Sequence, residues 1–142
     1  MRLLKVILSA YLISLALFNP ALTEEVNDKK KSQEETKIGV VMAVICREVK
    51  DLSPVCESDI FPADIGKLYC FTRVTGGKKG DIVKHIWHYQ GRPLLELNLS
   101  IKSSDFRTYS SKKIRHYQKG KWRVDVMSLD GINLATLNFT IK

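Results

Sequence analysis

Hydrophobic and polar positions alternate along this chain in short runs between residues 38 and 142. Successive side chains of a β-strand point to opposite faces, so such alternation predicts strands with one apolar face. Clusters of Gly, Asp, Ser and Pro separate the runs at spacings typical of all-β domains. The pattern predicts seven strands, at about residues 38–48, 67–75, 82–90, 94–102, 106–115, 121–129 and 132–142.

The last runs also predict which residues share a face. The apolar sets are Leu95, Leu97, Leu99 and Ile101; Trp122, Val124 and Val126; and Leu137, Phe139 and Ile141. Strands with single apolar faces pack most simply as two sheets face to face. We therefore expect an all-β fold of about seven antiparallel strands in an immunoglobulin-like β-sandwich, with a small β-barrel as the alternative.

Two joints between the runs have recognisable turn sequences. Gln90, Gly91, Arg92 and Pro93 predict a tight turn in which glycine takes a positive φ. Asp130 and Gly131 lie between two alternating runs and predict a type I′ hairpin.

The beginning of the chain predicts export. Arg2 and Lys5 precede an apolar stretch, residues 6–18, and small residues follow up to Thr23, as in a secretory signal peptide of residues 1–23. Thirteen apolar residues would cover about 20 Å as a helix, too short for a stable membrane span. Residues 24–37 read as a disordered charged tether and residues 38–142 as the domain. The expected location is periplasmic or secreted.

The chain is basic, with a formal net charge of +8. Nucleic acid is a common partner of basic proteins, but export removes most of that expectation. Anionic envelope polymers, phospholipid head groups and acidic proteins remain as partners, and the charge also serves solubility. The oligomeric state is left open.

Three cysteines in an exported chain suggest one disulfide and one free thiol. A bridge between Cys46 and Cys70 would join two strands and close a loop of about 25 residues, worth ~3 kcal/mol in the chain-entropy model. A bridge between Cys46 and Cys56 would only pin a loop. The third alternative is no bridge.

His85 and His88 are three residues apart on one predicted strand, so their rings point to opposite faces and do not converge on a metal. His85 shares a face with Trp87 and Tyr89. Its two interpretations are a structural hydrogen-bonding residue and a ligand-facing one.

The run from Phe106 to Lys119 combines cations and aromatics, a composition suited to phosphate or sugar-phosphate groups. Arg107, Tyr109 and Ser111 would share one face, with Thr108, Ser110 and Lys112 on the other. Arg107 could donate to an anion that hydroxyl groups position. The competing interpretation is a solvated edge strand in which Arg107 bonds a neighbouring carbonyl.

Four segments of the chain contain a recognisable set of residues in a fixed order. They are Cys46, Val49, Lys50, Asp51 and Pro54; Leu68, Tyr69, Cys70, Phe71 and Thr72; His85, Trp87 and Tyr89; and Arg107, Thr108, Ser110, Lys112, Gly120, Trp122, Val124, Gly131 and Phe139. From residue 40 to residue 141 this set resembles a bacterial family, the domain of unknown function 2914. The resemblance implies a β-sandwich in exported or membrane-attached proteins and no established activity. It favours the Cys46 and Cys70 pairing, with Cys56 as the odd thiol.

The function we predict is an exported, non-catalytic envelope module that binds a partner protein or an anionic glycan. The candidate ligand-binding residues are His85, Trp87, Arg107, Ser110 and Lys112. We expect no cofactor and no metal, because no paired carboxylates, activated nucleophile or phosphate-cradling loop stands out. The alternative is a periplasmic hydrolase or lyase that acts on envelope polysaccharide through an unrecognised site.

Overall fold

A computed structural model describes residues 37–142, which form nine β-strands and contain no helix. The strands are β1 (Gly39–Lys50), β2 (Ser53–Glu57), β3 (Ile60–Phe61), β4 (Lys67–Thr75), β5 (Ile82–Tyr89), β6 (Arg92–Ser100), β7 (Asp105–Lys113), β8 (Gly120–Ser128) and β9 (Asn133–Ile141). Residues 37–142 thus offer no helix able to cross a membrane. The predicted signal peptide and nearly all of the predicted tether lie outside the described residues.

The strands form two sheets, which confirms the predicted β-sandwich. Sheet A has the order β2-β1-β4-β7, and sheet B has the order β3-β9-β8-β5-β6. Across the described strands neither sheet closes into a barrel. The pairings are antiparallel except that of β3 with β9, which is parallel.

All seven predicted strands are present, and two short strands, β2 and β3, lie in a segment predicted as loop. β2 pairs with the end of β1 through a two-residue turn at Asp51 and Leu52, whose φ values are +51° and +52°. Two positive φ values make a type I′ turn, which usually contains glycine or asparagine. The absence of those residues concealed this hairpin in the sequence.

The apolar faces predicted from the alternation meet between the sheets. Trp122, Val124 and Val126 are at most 2% exposed, and the ring of Trp122 stacks on Phe139 at a centroid distance of 5.9 Å. Leu95, Leu97 and Leu99 of β6 are only half-buried, because β6 is an edge strand. The buried inward-facing residues of the central strands β4, β5 and β8 therefore supply most of the core.

Of the two predicted turns, the structure confirms the first and shows a different turn type at the second. Gln90 and Gly91 have φ values of +48° and +79° between the paired residues Tyr89 and Arg92, so the tight turn is confirmed. At the other joint only Gly131 has a positive φ, of +88°. A type I′ turn needs two such residues, so that prediction is wrong; the hairpin instead carries one left-handed glycine, as a bulged loop does.

The cysteines form no disulfide in this structure. Cys70 lies opposite Ile45 in the register of β1 and β4, whereas Cys46 lies opposite Tyr69. Directly opposed residues share a face, so Cys46 and Cys70 point to opposite sides of sheet A. The predicted bridge between them is therefore wrong for this register, because it would require one strand to slip by one residue.

Candidate functional site

Three of the five candidate binding residues meet in the core, between the sheets. His85 and Trp87 of β5 are fully buried, and Ser110 of β7 is 4% exposed. His85 Nδ1 lies 2.7 Å from Ser110 Oγ, and Trp87 Nε1 donates to the same oxygen at 3.0 Å. His85 Nε2 lies 3.2 Å from Thr72 Oγ1 of β4. This buried network joins the two sheets.

The hydrogen-bond partners determine the direction of each hydrogen bond in the network and the tautomer of His85. Thr72 Oγ1 donates to Thr108 O at 3.4 Å, so it accepts a proton from His85 Nε2. Burial keeps His85 neutral, and with its one proton on Nε2 the bare Nδ1 accepts a hydrogen bond from Ser110 Oγ, which itself accepts from Trp87. His85 is thus a neutral imidazole protonated at Nε2. Burial lowers its pKa to about 4, well below the ordinary 6.5.

As ligand-binding residues, His85, Trp87 and Ser110 would have to reach solvent, and the structure encloses them instead. Their placement agrees with the structural interpretation of His85. A buried polar group needs a partner, and here each group finds one across the sandwich.

The other two candidates lie apart from this network and from each other. Lys112 is half-buried, and its Nζ donates to the carbonyl of Lys113 at 3.0 Å. Burial, followed by the charge of Arg115, lowers the pKa of Lys112. Arg107 lies on the outer face of sheet A and donates a long hydrogen bond of 3.4 Å to the carbonyl of Leu52. The structure therefore does not bring the five residues into one site.

His88 points to the outer face of sheet B, opposite to His85, as predicted. Its Nε2 lies 3.0 Å from Asp125 Oδ2, and Arg123 Nε approaches the same oxygen at 3.2 Å. Neither contact has hydrogen-bond geometry. The hydroxyl of Thr136 donates to the other oxygen of Asp125 at 3.1 Å. Both carboxylate oxygens are occupied, so this cluster holds β5, β8 and β9 together.

The outer face of sheet A carries exposed aromatic side chains. Tyr109 of β7 is 44% exposed, and its ring meets that of Tyr69 of β4 edge to face at a centroid distance of 5.9 Å. Phe71 lies directly opposite Tyr109 and is only 2% exposed. Phe71 therefore shares the outer face with the two tyrosines but is itself buried by its neighbours. The sequence had placed Arg107 and Tyr109 on one face, but it did not indicate that Tyr69 joins them.

Cations flank the tyrosines in two directly opposed pairs. The register places Lys67 opposite Lys113 and Arg73 opposite Arg107. Like charges in directly opposed positions destabilise a sheet. In β4 and β7 only Asp105 carries a negative charge, and it is engaged by Arg73 through both oxygens. Lys67 Nζ lies 5.2 Å from the ring centroid of Tyr69. Lys113 and Arg107 are thus placed to meet an anion.

Two other kinds of site, a cleft and a metal centre, have less support in the described part of the chain. A cleft of about 310 Å³ opens between β1 and β9, with an apolar floor that includes Val44 and Leu137 and with Glu57 and Asp59 on its lining. Two carboxylates do not suit an anion. Within residues 37–142, no three His, Cys, Asp or Glu side chains are grouped as metal ligands would be.

Fold and surface together define a two-sheet β-sandwich with one exposed aromatic and cationic face. Residues 81–141 match the model of the family described as a protein of unknown function (DUF2914), and this match supports the family resemblance seen in the sequence. The match covers β5 to β9; the segment of Cys46 and Cys70, which the resemblance included, lies outside it.

No curated protein matches the chain. Among solved structures, the chain is similar to the crystal structure of endonuclease/exonuclease/phosphatase from Beutenbergia cavernae DSM 12333, with 17% identity and a TM-score of 0.36. The similarity covers 71% of this chain and 27% of that one, so the chain spans about a quarter of its length. A similarity of this strength does not bear on function.

Proposed function

We propose that this protein is an exported, non-catalytic module of the cell envelope that binds an anionic glycan through the outer face of β4 and β7. The observation that carries the proposal is the pair of tyrosines flanked by two opposed pairs of cations. We call this surface the tyrosine face; it consists of Lys67, Tyr69, Arg73, Arg107, Tyr109 and Lys113.

The charges favour an anionic ligand. Each opposed pair of cations repels, and Asp105 relieves only the pair that contains Arg73. An anion between the strands would remove the remaining repulsion. The guanidinium of Arg107 can offer two parallel donors to a carboxylate or a phosphate, which a lysine cannot.

The length of the tyrosine face favours a polymer. Lys67 and Arg73 are six residues apart on β4, which corresponds to roughly 20 Å along a strand. A single phosphate would contact only one end. An extended glycan would place anionic groups at both ends and the C–H groups of its sugars against the tyrosine rings between them. This arrangement supports a glycan over a folded partner protein.

The alternative of a hydrolase or lyase has less support. A general acid or base must reach the substrate, and His85 is enclosed between the sheets. Its lowered pKa follows from that enclosure.

Calorimetric titration with an octamer of galacturonate, beside its fully methyl-esterified and neutral counterpart, tests the proposal. We expect the anionic octamer to bind and the ester to bind at least tenfold more weakly. Two variants probe the face, Tyr109→Ala and the double variant Arg107→Gln, Lys113→Gln. The matched control is Lys78→Gln, Lys79→Gln, which loses the same charge beyond the end of β4.

Loss of binding in both face variants, with the control unchanged, would support the tyrosine face as the site. Equal weakening of the double variant and its control would mean that only net charge matters. Unchanged binding by Tyr109→Ala would remove the aromatic part of the argument. Urea midpoints close to that of the unsubstituted protein confirm that each variant is folded.

A further inference from the structure

Three loops meet at one end of the sandwich. Ile114 N donates to Gly66 O at 2.9 Å, which joins the β7–β8 loop to the β3–β4 loop. Gln90 N donates to Lys121 O at 3.1 Å, which joins the β5–β6 turn to the beginning of β8. We call this end the basic pole; it comprises residues 64–67, 89–92 and 112–121.

The basic pole concentrates positive charge. It contains seven cations and one carboxylate, that of Asp64. The cations are Lys67, Arg92, Lys112, Lys113, Arg115, Lys119 and Lys121. They come from three separate segments of the chain, so the fold and not a single run of lysines assembles this patch.

An aromatic side chain stands at the tip of the pole. Tyr117 is 68% exposed, more than any other large hydrophobic residue of the described part. It lies in a turn closed by the hydrogen bond from Gln118 N to Arg115 O at 2.9 Å. Trp122 Nε1 donates to Gln118 O at 2.9 Å and fixes the turn to the core. The tyrosine is therefore held outward by a well-anchored loop.

We propose that the basic pole docks on the surface of an anionic phospholipid bilayer, with Tyr117 at the level of the head groups. An aromatic ring with a polar tip is suited to that interface, and surrounding lysines and arginines are attracted to the anionic lipids. The patch projects around a loop tip. It therefore fits an extended plane of anions better than a single glycan chain, which needs a face or groove along which to lie.

This docking shares Lys67 and Lys113 with the tyrosine face and is compatible with the glycan proposal. The pair Lys67 and Lys113 lies at the pole, while Arg73 and Arg107 lie six residues further along the same strands. The tyrosine face therefore extends away from the docked end and stays open to a polymer beside the membrane.

Co-sedimentation of the protein with vesicles tests the inference, using phosphatidylcholine with 30% phosphatidylglycerol and phosphatidylcholine alone. Any binding by residues 1–18, including the attraction of Arg2 and Lys5 to anionic lipid, is the same in every variant, so the variants are compared with one another on the same vesicles. The pole variant is Arg115→Gln, Lys119→Gln, Lys121→Gln. The matched control, Lys78→Gln, Lys79→Gln, Lys102→Gln, removes three cations at the opposite end of the sandwich.

We expect binding to the anionic vesicles in low salt. Each surface cation contributes about fivefold to partitioning, so the pole variant should bind on the order of 100-fold more weakly, with the control within about twofold of the unsubstituted protein. Tyr117→Ser should weaken binding severalfold without a change of charge.

Three results would overturn the inference: no binding to anionic vesicles, equal loss in the control, or displacement by 10 mM inorganic phosphate at constant ionic strength. The last would indicate a discrete phosphate site. Because Tyr109→Ala leaves the pole intact, it should bind vesicles normally even if it loses the glycan, so the two proposals can fail separately.

Discussion

Replacement of Ser110 by alanine tests the buried network at its centre. The Ser110 hydroxyl accepts a hydrogen bond from Trp87 and is bonded to His85, both of which are fully buried. Ser110→Ala removes one oxygen and leaves two polar groups, Trp87 Nε1 and His85 Nδ1, without a partner. Water does not reach either group.

The expected loss of stability follows from those two groups. An unsatisfied buried donor or acceptor costs about 1–3 kcal/mol, so with two such groups the unfolding free energy should fall by about 2–6 kcal/mol. A domain of this size has a total of about 5–15 kcal/mol. With an m value of about 1.5 kcal/mol/M, a loss of 3 kcal/mol moves the urea midpoint down by about 2 M.

Urea titration at pH 7, followed by tryptophan fluorescence, measures the change. The matched control is Ser111→Ala, which removes the same hydroxyl from the adjacent residue on the outer face, opposite Tyr69. We expect the control to change stability by less than about 0.5 kcal/mol. If Ser110→Ala cost no more than Ser111→Ala, the hydrogen bonds of the network would not stabilise the sandwich, and the reasoning from unsatisfied buried groups would be refuted.

Three further predictions concern other parts of the sandwich. The folded pKa of His85, about 4, lies below the ordinary 6.5, so on acidification the unfolded chain takes up the proton first. The unfolding free energy should therefore be unaffected above pH 6.5 and should fall by roughly 3 kcal/mol toward pH 4. Urea midpoints measured from pH 4 to 8 should show this fall in the unsubstituted protein and lack it in His85→Gln. Gly131→Ala, at a φ of +88°, should cost about 1 kcal/mol, whereas Gly39→Ala should be nearly neutral in thermal melts; equal effects would contradict the turn geometry. A thiol reagent should label exposed Cys56 quickly and the two buried cysteines only on unfolding; no labelling before reduction would indicate a disulfide instead.

The fold was largely predictable, because period-two alternation is a direct consequence of strand geometry. The alternation of Trp122 with Arg123 fixed the buried and solvent faces of β8 without any knowledge of the partner strands. It could not reveal β2, since Asp51 and Leu52 form a type I′ turn without the residues that usually mark one.

The candidate site was less predictable, for a physical reason. Polar residues suggest solvent, yet His85 and Ser110 face the core because each satisfies the other across the sandwich. Such a partnership joins residues far apart in sequence and leaves no local pattern. The cysteine pairing was missed for a similar reason, because a shift of one residue in register decides whether Cys46 and Cys70 share a face.

Strand β7 carries stability and the proposed binding on alternate residues. Thr108 and Ser110 face the core, while Arg107 and Tyr109 face outward. The two roles therefore place opposite demands on neighbouring positions. The inward residues need hydrogen-bond partners within the protein, whereas an outward cation such as Arg107 attracts an anion only if no carboxylate of the protein neutralises it. The repulsion between Lys67 and Lys113 is a cost that the well-hydrogen-bonded core can offset, and a ligand on the tyrosine face would relieve it. A face selected only for stability would pair its cations with carboxylates, as Arg73 is paired with Asp105.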